Sequence, residues 1–256
     1  MSVNLKGDAM VQRVVVKLSG EQIGQGAANS FYNDAVIKNI VLQIKQAVEN
    51  GLQAAIVVGG GNLWRGRAAN PIMSRIKADH IGMMATVMNA IYLEESFRLL
   101  GVGAKVMTPI PIGNFTTVYE KDNAQKLMAR QTVVINAAGL GHPLFSTDTV
   151  TALRAAELEA DMVLFAKNID GVYTADPKTN PDAKKYKTLS YGHAISSGTH
   201  FADPAAIHML NDAQIPAYVF LLDFPSSISL ACSYPDTNDL NGTYLNINQK
   251  EVLYGH

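Results

Sequence analysis

The sequence predicts an α/β protein, a three-layer α/β/α sandwich around a mostly parallel central sheet. Short β-branched runs alternate with longer helical patterns along the chain, the order that builds right-handed βαβ crossovers. The short runs are almost continuously apolar, which suits strands covered on both faces. Glycine follows four of them, and in such sheets ligands gather where the strands end.

In chain order, RVVVKL (residues 13–18) opens the pattern with three consecutive valines, and a helix is expected over 34–50. AAIVVG (54–59) precedes a long helix over 78–100, AKVM (104–107) precedes a helix over 120–130, and TVVIN (132–136) precedes one over 149–160. MVLFA (162–166) and AYVFLL (217–222) complete the strands, with a helix over 203–213 between them. The Pro- and Lys-rich segment 175–190 reads as an exposed loop.

With 256 residues the chain makes one large domain or two small ones. The simpler organisation is a loose extension over 1–10, with Met10 an alternative start, and a single domain over 11–256. Two lobes flanking a cleft are a variant of it. A formal net charge of -1 without a basic stripe argues against nucleic acid as a partner. Cys232 is the single cysteine, so no internal disulfide can form and a reducing compartment fits. No apolar run approaches the roughly 18 to 20 residues of a membrane span, and the start lacks the apolar core of a signal peptide. A cytoplasmic protein with no membrane partner is expected.

Four motifs carry chemistry. In VVGGGNLWRG (57–66) the glycines Gly59, Gly60 and Gly61 follow a buried strand, where they let backbone N–H groups approach an anion and permit positive φ. Arg65 adds a charge-assisted contact to phosphate. The alternative is a tight turn with a surface arginine; a phosphate site is favoured. In VVVKLSGE (14–21), Lys17 sits in an apolar run where its charge is costly without a partner. It either snorkels to the strand end or meets phosphate beside Ser19 and Gly20. Neither a Walker A loop nor a G-x-G-x-x-G fingerprint occurs.

NAAGLGHPLFSTDT (136–149) ends in a hydroxyl-rich cluster at a helix mouth. Two readings stand level: Asp148 is the helix N-cap, or Ser146, Thr147 and Thr149 hold a phosphate while Asp148 orients a lysine or a magnesium-bound phosphate. DGVYTADP (170–177) places Tyr173 and Asp176 after a strand, either against a purine and a ribose hydroxyl or in a turn. The six histidines show no metal spacing. His80, beside Asp79, reads as a capping neighbour, and Met83, Met84 and Met88 read as core. Ser19 lacks a visible His–Asp pair, so a hydrolase triad is not expected.

Taken in order, KLSGE (17–21), GGGNLWRG (59–66), ADHIGMMATVMNAIYLEES (78–96), GHPLFSTDT (141–149), LRAAELEAD (153–161) and DGVYTADPKTNPDAKKY (170–186) resemble the amino-acid-kinase superfamily and its UMP kinase branch. The resemblance spans roughly residues 11–220. It implies the amino-acid-kinase (carbamate-kinase-like) fold, a homohexamer, and transfer of the ATP γ-phosphoryl group to UMP with Mg²⁺. The metal is held mainly by nucleotide phosphates, with no dedicated protein metal site. By position, it assigns Lys17, Arg65 and Asp148 to catalysis. Lys17, Leu18, Ser19, Gly20, Gly61, Arg65, Lys167, Tyr173 and Asp176 fall to ATP. Gly60, Asp79, Leu140, Gly141, His142, Pro143, Leu144, Phe145, Ser146 and Thr147 fall to UMP. The family usually writes G-T-G-N-P where this chain has Gly139-Leu140-Gly141-His142-Pro143. Leu140 removes a hydroxyl and His142 replaces an amide, which opens the alternatives of another acceptor or a weakly catalytic nucleotide-binding paralogue. NGTYL (241–245) is similar to the family's final strand.

Overall fold

Alternation of buried and ligand-facing side chains along parallel strands decides which residues reach the site. The computed structural model describes residues 11–27, 30–65, 72–199, 201–222, 227–232, 242–248 and 250–254. The expected extension over 1–10, Met10, Gly66 and residues 223–226 and 233–241 of the tail lie outside these. In chain order the elements are β1 (Arg13–Leu18), α1 (Gly20–Gly24), α2 (Asp34–Glu49), β2 (Gln53–Val58), α3 (Arg75–Leu99) and β3 (Ala104–Thr108). There follow β4 (Thr117–Val118), α4 (Lys121–Ala129), β5 (Val133–Asn136), α5 (Thr147–Glu157), β6 (Met162–Lys167) and β7 (Tyr186–Ser190). The last are α6 (Tyr191–Ser197), α7 (Pro204–Asp212), β8 (Ala217–Leu221), α8 (Ser227–Cys232), β9 (Thr243–Asn246) and β10 (Val252–Leu253).

The strands form one mixed sheet in the order β10-β7-β9-β8-β6-β1-β2-β5-β3-β4. From β8 to β4 every pairing is parallel, whereas β9 runs antiparallel to β8 and β10 antiparallel to β7. The sheet separates two cores. Val14, Val16 and Leu18 of β1 pack with α2, α3 and α8 on one face. Val15 of β1, Val57 of β2, Val134 of β5 and Phe165 of β6 pack with α4, α5 and α7 on the other. This is the three-layer architecture expected, and β1, β2, β5 and β6 lie side by side, so their carboxyl ends share one edge.

The period of two has a direct consequence. Lys17, Asn136 and Lys167 each lie two residues beyond a side chain of the α5-side core, so all three fall on that face. Lys17 pairs in register with Val57, and Val57 with Asn136. A row of polar groups therefore crosses the ends of β1 and β5 beneath the start of α5.

Three expectations need correction. The segment 175–190 is exposed only in its first part; Tyr186–Ser190 is β7, with Tyr186 and Leu189 buried. Its alternation Tyr-Lys-Thr-Leu-Ser was hidden by the flanking lysines. Met84 and Met88 are not core: they are 46% and 54% exposed, in line with exposed Ile81 and Ile91. The helix buries Ala85, Val87, Ala90 and Leu93 instead. Helix α1 was not expected, although Ser19 and Gln22 supply its capping box.

Candidate functional site

Where β1, β2, β5 and β6 end there is a Lys–Asp–Lys cluster and two cavities, the second of them lined by Lys167. Lys17 Nζ stands 3.3 Å from Asp148 Oδ1, and Lys167 Nζ stands 4.0 Å from Asp148 Oδ2. All three side chains are largely buried, at 14%, 17% and 22% exposure. The Lys167 ammonium also donates to the Phe201 carbonyl. Burial pushes the Lys167 pKa down, and the Lys17 charge adds to this; Asp148 and Asp203 oppose it. Asp148 Oδ1 is buried and accepts no hydrogen bond among the described residues, so the contact with Lys17 is an ion pair without hydrogen-bond geometry.

Asp148 is not the N-cap of α5. Ser146 is, with its hydroxyl accepting from the N–H groups of Asp148 and Thr149, each at 3.1 Å. Asp148 is thereby left to face the lysines. Ser146 and Thr149 also donate their hydroxyls to Asp203, with Thr149 Oγ1 2.9 Å from Oδ2. The Ser146 and Thr149 hydroxyls thus donate to a carboxylate, while Thr147 lines the first cavity. Burial raises the Asp203 pKa, but the hydrogen bonds from Ser146, Ala206 and Thr149 outweigh it and hold the carboxyl below its usual value. Asp203 caps α7 at the same time, accepting from Ala206 N at 3.0 Å. It was not singled out in the sequence; Asp203-Pro204, an N-cap followed by proline, was its only local signal.

The glycine loop serves by close approach rather than by positive φ, which none of Gly59, Gly60 and Gly61 adopts. A Cβ on Gly20 would stand 2.5 Å from Gly61 N, and one on Gly60 would stand 2.9 Å from Ala85 Cβ and Gly82 O. The loop is pinned by buried Asn89, whose amide donates to Gly59 O and Asn62 Oδ1, both at 2.7 Å. Thr86, one turn earlier, accepts from Ala138 N at 2.8 Å. Helix α3 therefore fixes both ligand loops, a role the sequence reading did not give to Asn89 or Thr86. Arg65 is exposed and pairs with Glu21 at 3.1 Å. Ser19 N–H is taken by Gln22 Oε1 at 2.9 Å, and the Leu18 side chain is buried in the core on the α2 face.

The first cavity, of about 610 Å³, is lined by Gly60, Gly61, Asp79, His142, Thr147 and Asp203 among others. Pro143, Leu144, Phe145 and Ser146 also reach it. The loop 137–146 turns through positive φ at Ala138, Gly139, Gly141 and Leu144. Asp79 holds it, accepting from Leu144 N at 2.9 Å while its other oxygen pairs with Arg75, also at 2.9 Å. Leu140 packs against the α5-side core, and Gly141 lies against Pro109 and Ile110. Neither is among the residues that line the cavity.

The second cavity, of about 450 Å³, is lined by Lys167, Tyr173, Asp176, Gly198 and Phe201 among others. Tyr173 donates to Asp170 at 2.8 Å; burial, with that carboxylate beside it, pushes its hydroxyl up to about 12. Asp176 accepts from Lys178 N at 2.9 Å, closing a turn. Among the described residues no group of three His, Cys, Asp or Glu side chains could hold a metal ion.

Two pockets and a buried Lys–Asp–Lys cluster thus lie at the carboxyl edge of the parallel part of the sheet, an arrangement suited to anionic ligands. Residues 12–221 match the model of the amino acid kinase family, and the chain belongs to that family. It is similar to the crystal structure of UMP kinase from Bacillus anthracis, with a TM-score of 0.89 and 32% identity over 96% of this chain and 99% of that one. The UMP kinase from Ureaplasma parvum superposes with a TM-score of 0.85 at 33% identity, covering 93% of this chain and 100% of the other. Uridylate kinase from Archaeoglobus fulgidus is more distant, with a TM-score of 0.66 at 28% identity over 91% and 99%. No helix among the described residues is long and apolar enough to cross a membrane.

Proposed function

We propose that this protein is a UMP kinase that transfers the ATP γ-phosphoryl group to UMP, giving UDP for pyrimidine nucleotide synthesis in the cytoplasm. The observation that carries the reading is the cluster of Lys17, Asp148 and Lys167, of which Lys167 lines the second cavity while Thr147 and Thr149, the neighbours of Asp148 in sequence, line the first. The second cavity takes ATP, with Tyr173 and Asp176 at its nucleoside. The first takes UMP, with Asp79 and the 137–146 loop around it and Gly60 beneath. Phosphoryl transfer needs two anionic groups held in line with their charge neutralised. Lys17 and Lys167 supply positive charge where it is weakly screened. Asp148 keeps the two ammonium groups from repelling one another. Gly20 and Gly61 bring backbone close to the transferred group. Arg65 leaves Glu21 to join them, at small cost because the pair is exposed. No side-chain nucleophile is required.

The residues present fit Mg²⁺ carried in on the nucleotide. Asp148 Oδ1 is a buried carboxylate oxygen without a hydrogen bond, and it is the group that would face an ion held mainly by the nucleotide phosphates. When bound, the ion neutralises charge on the transferred phosphoryl group. A single domain over 11–256 is consistent with one continuous sheet.

The reading is tested by UDP formation from ATP and Mg²⁺ with UMP, CMP, dUMP, AMP and GMP as acceptors. UMP is expected to be the fastest. A faster acceptor would place specificity with His142, which lines the first cavity; nucleotide binding with no transfer would favour a paralogue that only binds.

Assembly as a homo-oligomer, the homohexamer of the family resemblance, is supported by the exposed face of α3. Ile81, Met84, Met88 and Ile91 form an apolar stripe at heptad-like spacing. Two antiparallel copies related by a two-fold axis at the level of residue 86 set Ile81 against Ile91 and Met84 against Met88. The same axis brings Lys77 opposite Glu95. Such self-complementarity is what an isologous contact requires. The double substitution Met84→Glu with Met88→Glu is expected to at least halve the native mass measured by light scattering. An unchanged mass would remove α3 from the interface.

A further inference from the structure

One polar side chain in the first cavity has no part in the reading above. Asn136 ends β5, 3% exposed, in an otherwise apolar strand. It lines the cavity together with Val57, Thr149 and Val150. Its Nδ2 donates to Ile56 O at 3.3 Å, whereas its Oδ1 is buried and accepts from no group among the described residues. Turning the amide over would set two oxygens face to face, so this orientation follows from the hydrogen bond to Ile56. An apolar side chain would fill the place without leaving an unpaired acceptor, which is a costly group to bury.

We infer that Asn136 is a specificity-determining residue whose Oδ1, shielded from the cavity in this structure, turns toward it to accept a hydrogen bond from the nucleoside part of the acceptor. Register supports this placement. Lys17, Val57 and Asn136 lie in one row on three adjacent strands, so Asn136 stands about 10 Å from Lys17 along the sheet. That separation matches the reach of a nucleoside monophosphate whose phosphate lies at the lysine. An unpaired carbonyl oxygen repels phosphate and selects an N–H or a hydroxyl. The ring N–H of a uracil and the hydroxyls of ribose are the donors that UMP carries. This inference rests on the acceptor being a nucleotide.

The test is Asn136→Leu, branched alike at Cγ but somewhat bulkier and without polar atoms, with Asn136→Ser as a second variant should leucine pack badly. Steady-state kinetics with UMP, dUMP and N3-methyl-UMP separate base from ribose. Asn136→Leu is expected to raise the KM for UMP about tenfold, a loss typical of one removed hydrogen bond, with kcat within about twofold. In the wild type, N3-methylation or removal of the 2′-hydroxyl should cost a similar factor, and that cost should vanish in the variant. Equal KM values in both proteins for all three acceptors would overturn the inference, as would a raised melting temperature without any change in KM. Failure of the UMP reading looks different: the wild type itself would then show no turnover with UMP.

Discussion

Lys17→Ala is expected to lower kcat by about 10²–10³-fold, the usual cost of removing one preorganised charge from a transfer site. The melting temperature should move by only a few degrees. Both parts follow from placement. Lys17 is carried to the α5 face by the alternation of β1, and its ammonium sits 3.3 Å from Asp148 in a largely buried setting. Burial makes the charge costly in the ligand-free protein, so its loss removes a cost as well as an ion pair. Asp148 keeps Lys167 as a partner at 4.0 Å. Steady-state kinetics alongside a thermal melt decide the matter. An unfolded variant would make Lys17 a structural residue, and wild-type turnover would take it out of the reaction.

Asp148→Asn should cost about 10²-fold or more in kcat while preserving α5, because the helix is capped by Ser146 rather than by Asp148. It also has a signature in pH. The Lys167 pKa already lies below that of an ordinary lysine, chiefly through burial, and Asp148 is the first of the groups that hold it up. Removing that carboxylate lowers the pKa further, so charge on Lys167 is lost at a lower pH and the alkaline limb of the activity profile moves to lower pH. The sign for stability follows. With the folded value below the unfolded one, the cationic form is the costly one in the fold. That cost is complete below the folded pKa and is relieved as pH rises towards the unfolded value. The variant extends this range downward. An alkaline limb identical to the wild type would exclude Lys167 as its source.

The layers were legible because buried parallel strands have a loud signature. RVVVKL, MVLFA and TVVIN are nearly pure β-branched or apolar runs, and the structure sets β1, β6 and β5 within a residue of them. At the margin beyond β8 the family resemblance pointed to β9 through NGTYL, but β7 and β10 were not legible. β7 alternates with polar residues inside a lysine-rich segment, and β10 is two residues long. Lys17 and Asp148 could be proposed as partners because a lysine in an apolar run and a carboxylate at a helix mouth each demand an explanation. Asp203 and Asn89 could not. Each acts by joining segments remote in sequence: Asp203 ties α7 to the start of α5, and Asn89 reaches back to Gly59. Leu140 was assigned to UMP from its place in the motif; its packing against the α5-side core, after positive φ at Ala138 and Gly139, is not something the motif spells out.

Phe201 and Asp203 stand two residues apart, each at a different cavity. Phe201 lines the second cavity and accepts from Lys167, while Asp203 lines the first and grips Ser146 and Thr149. A shift of this short segment to suit one occupant changes the wall offered to the other. Any such shift would link the two occupants energetically, and whatever factor the first contributed to the affinity of the second, the second would return to the first.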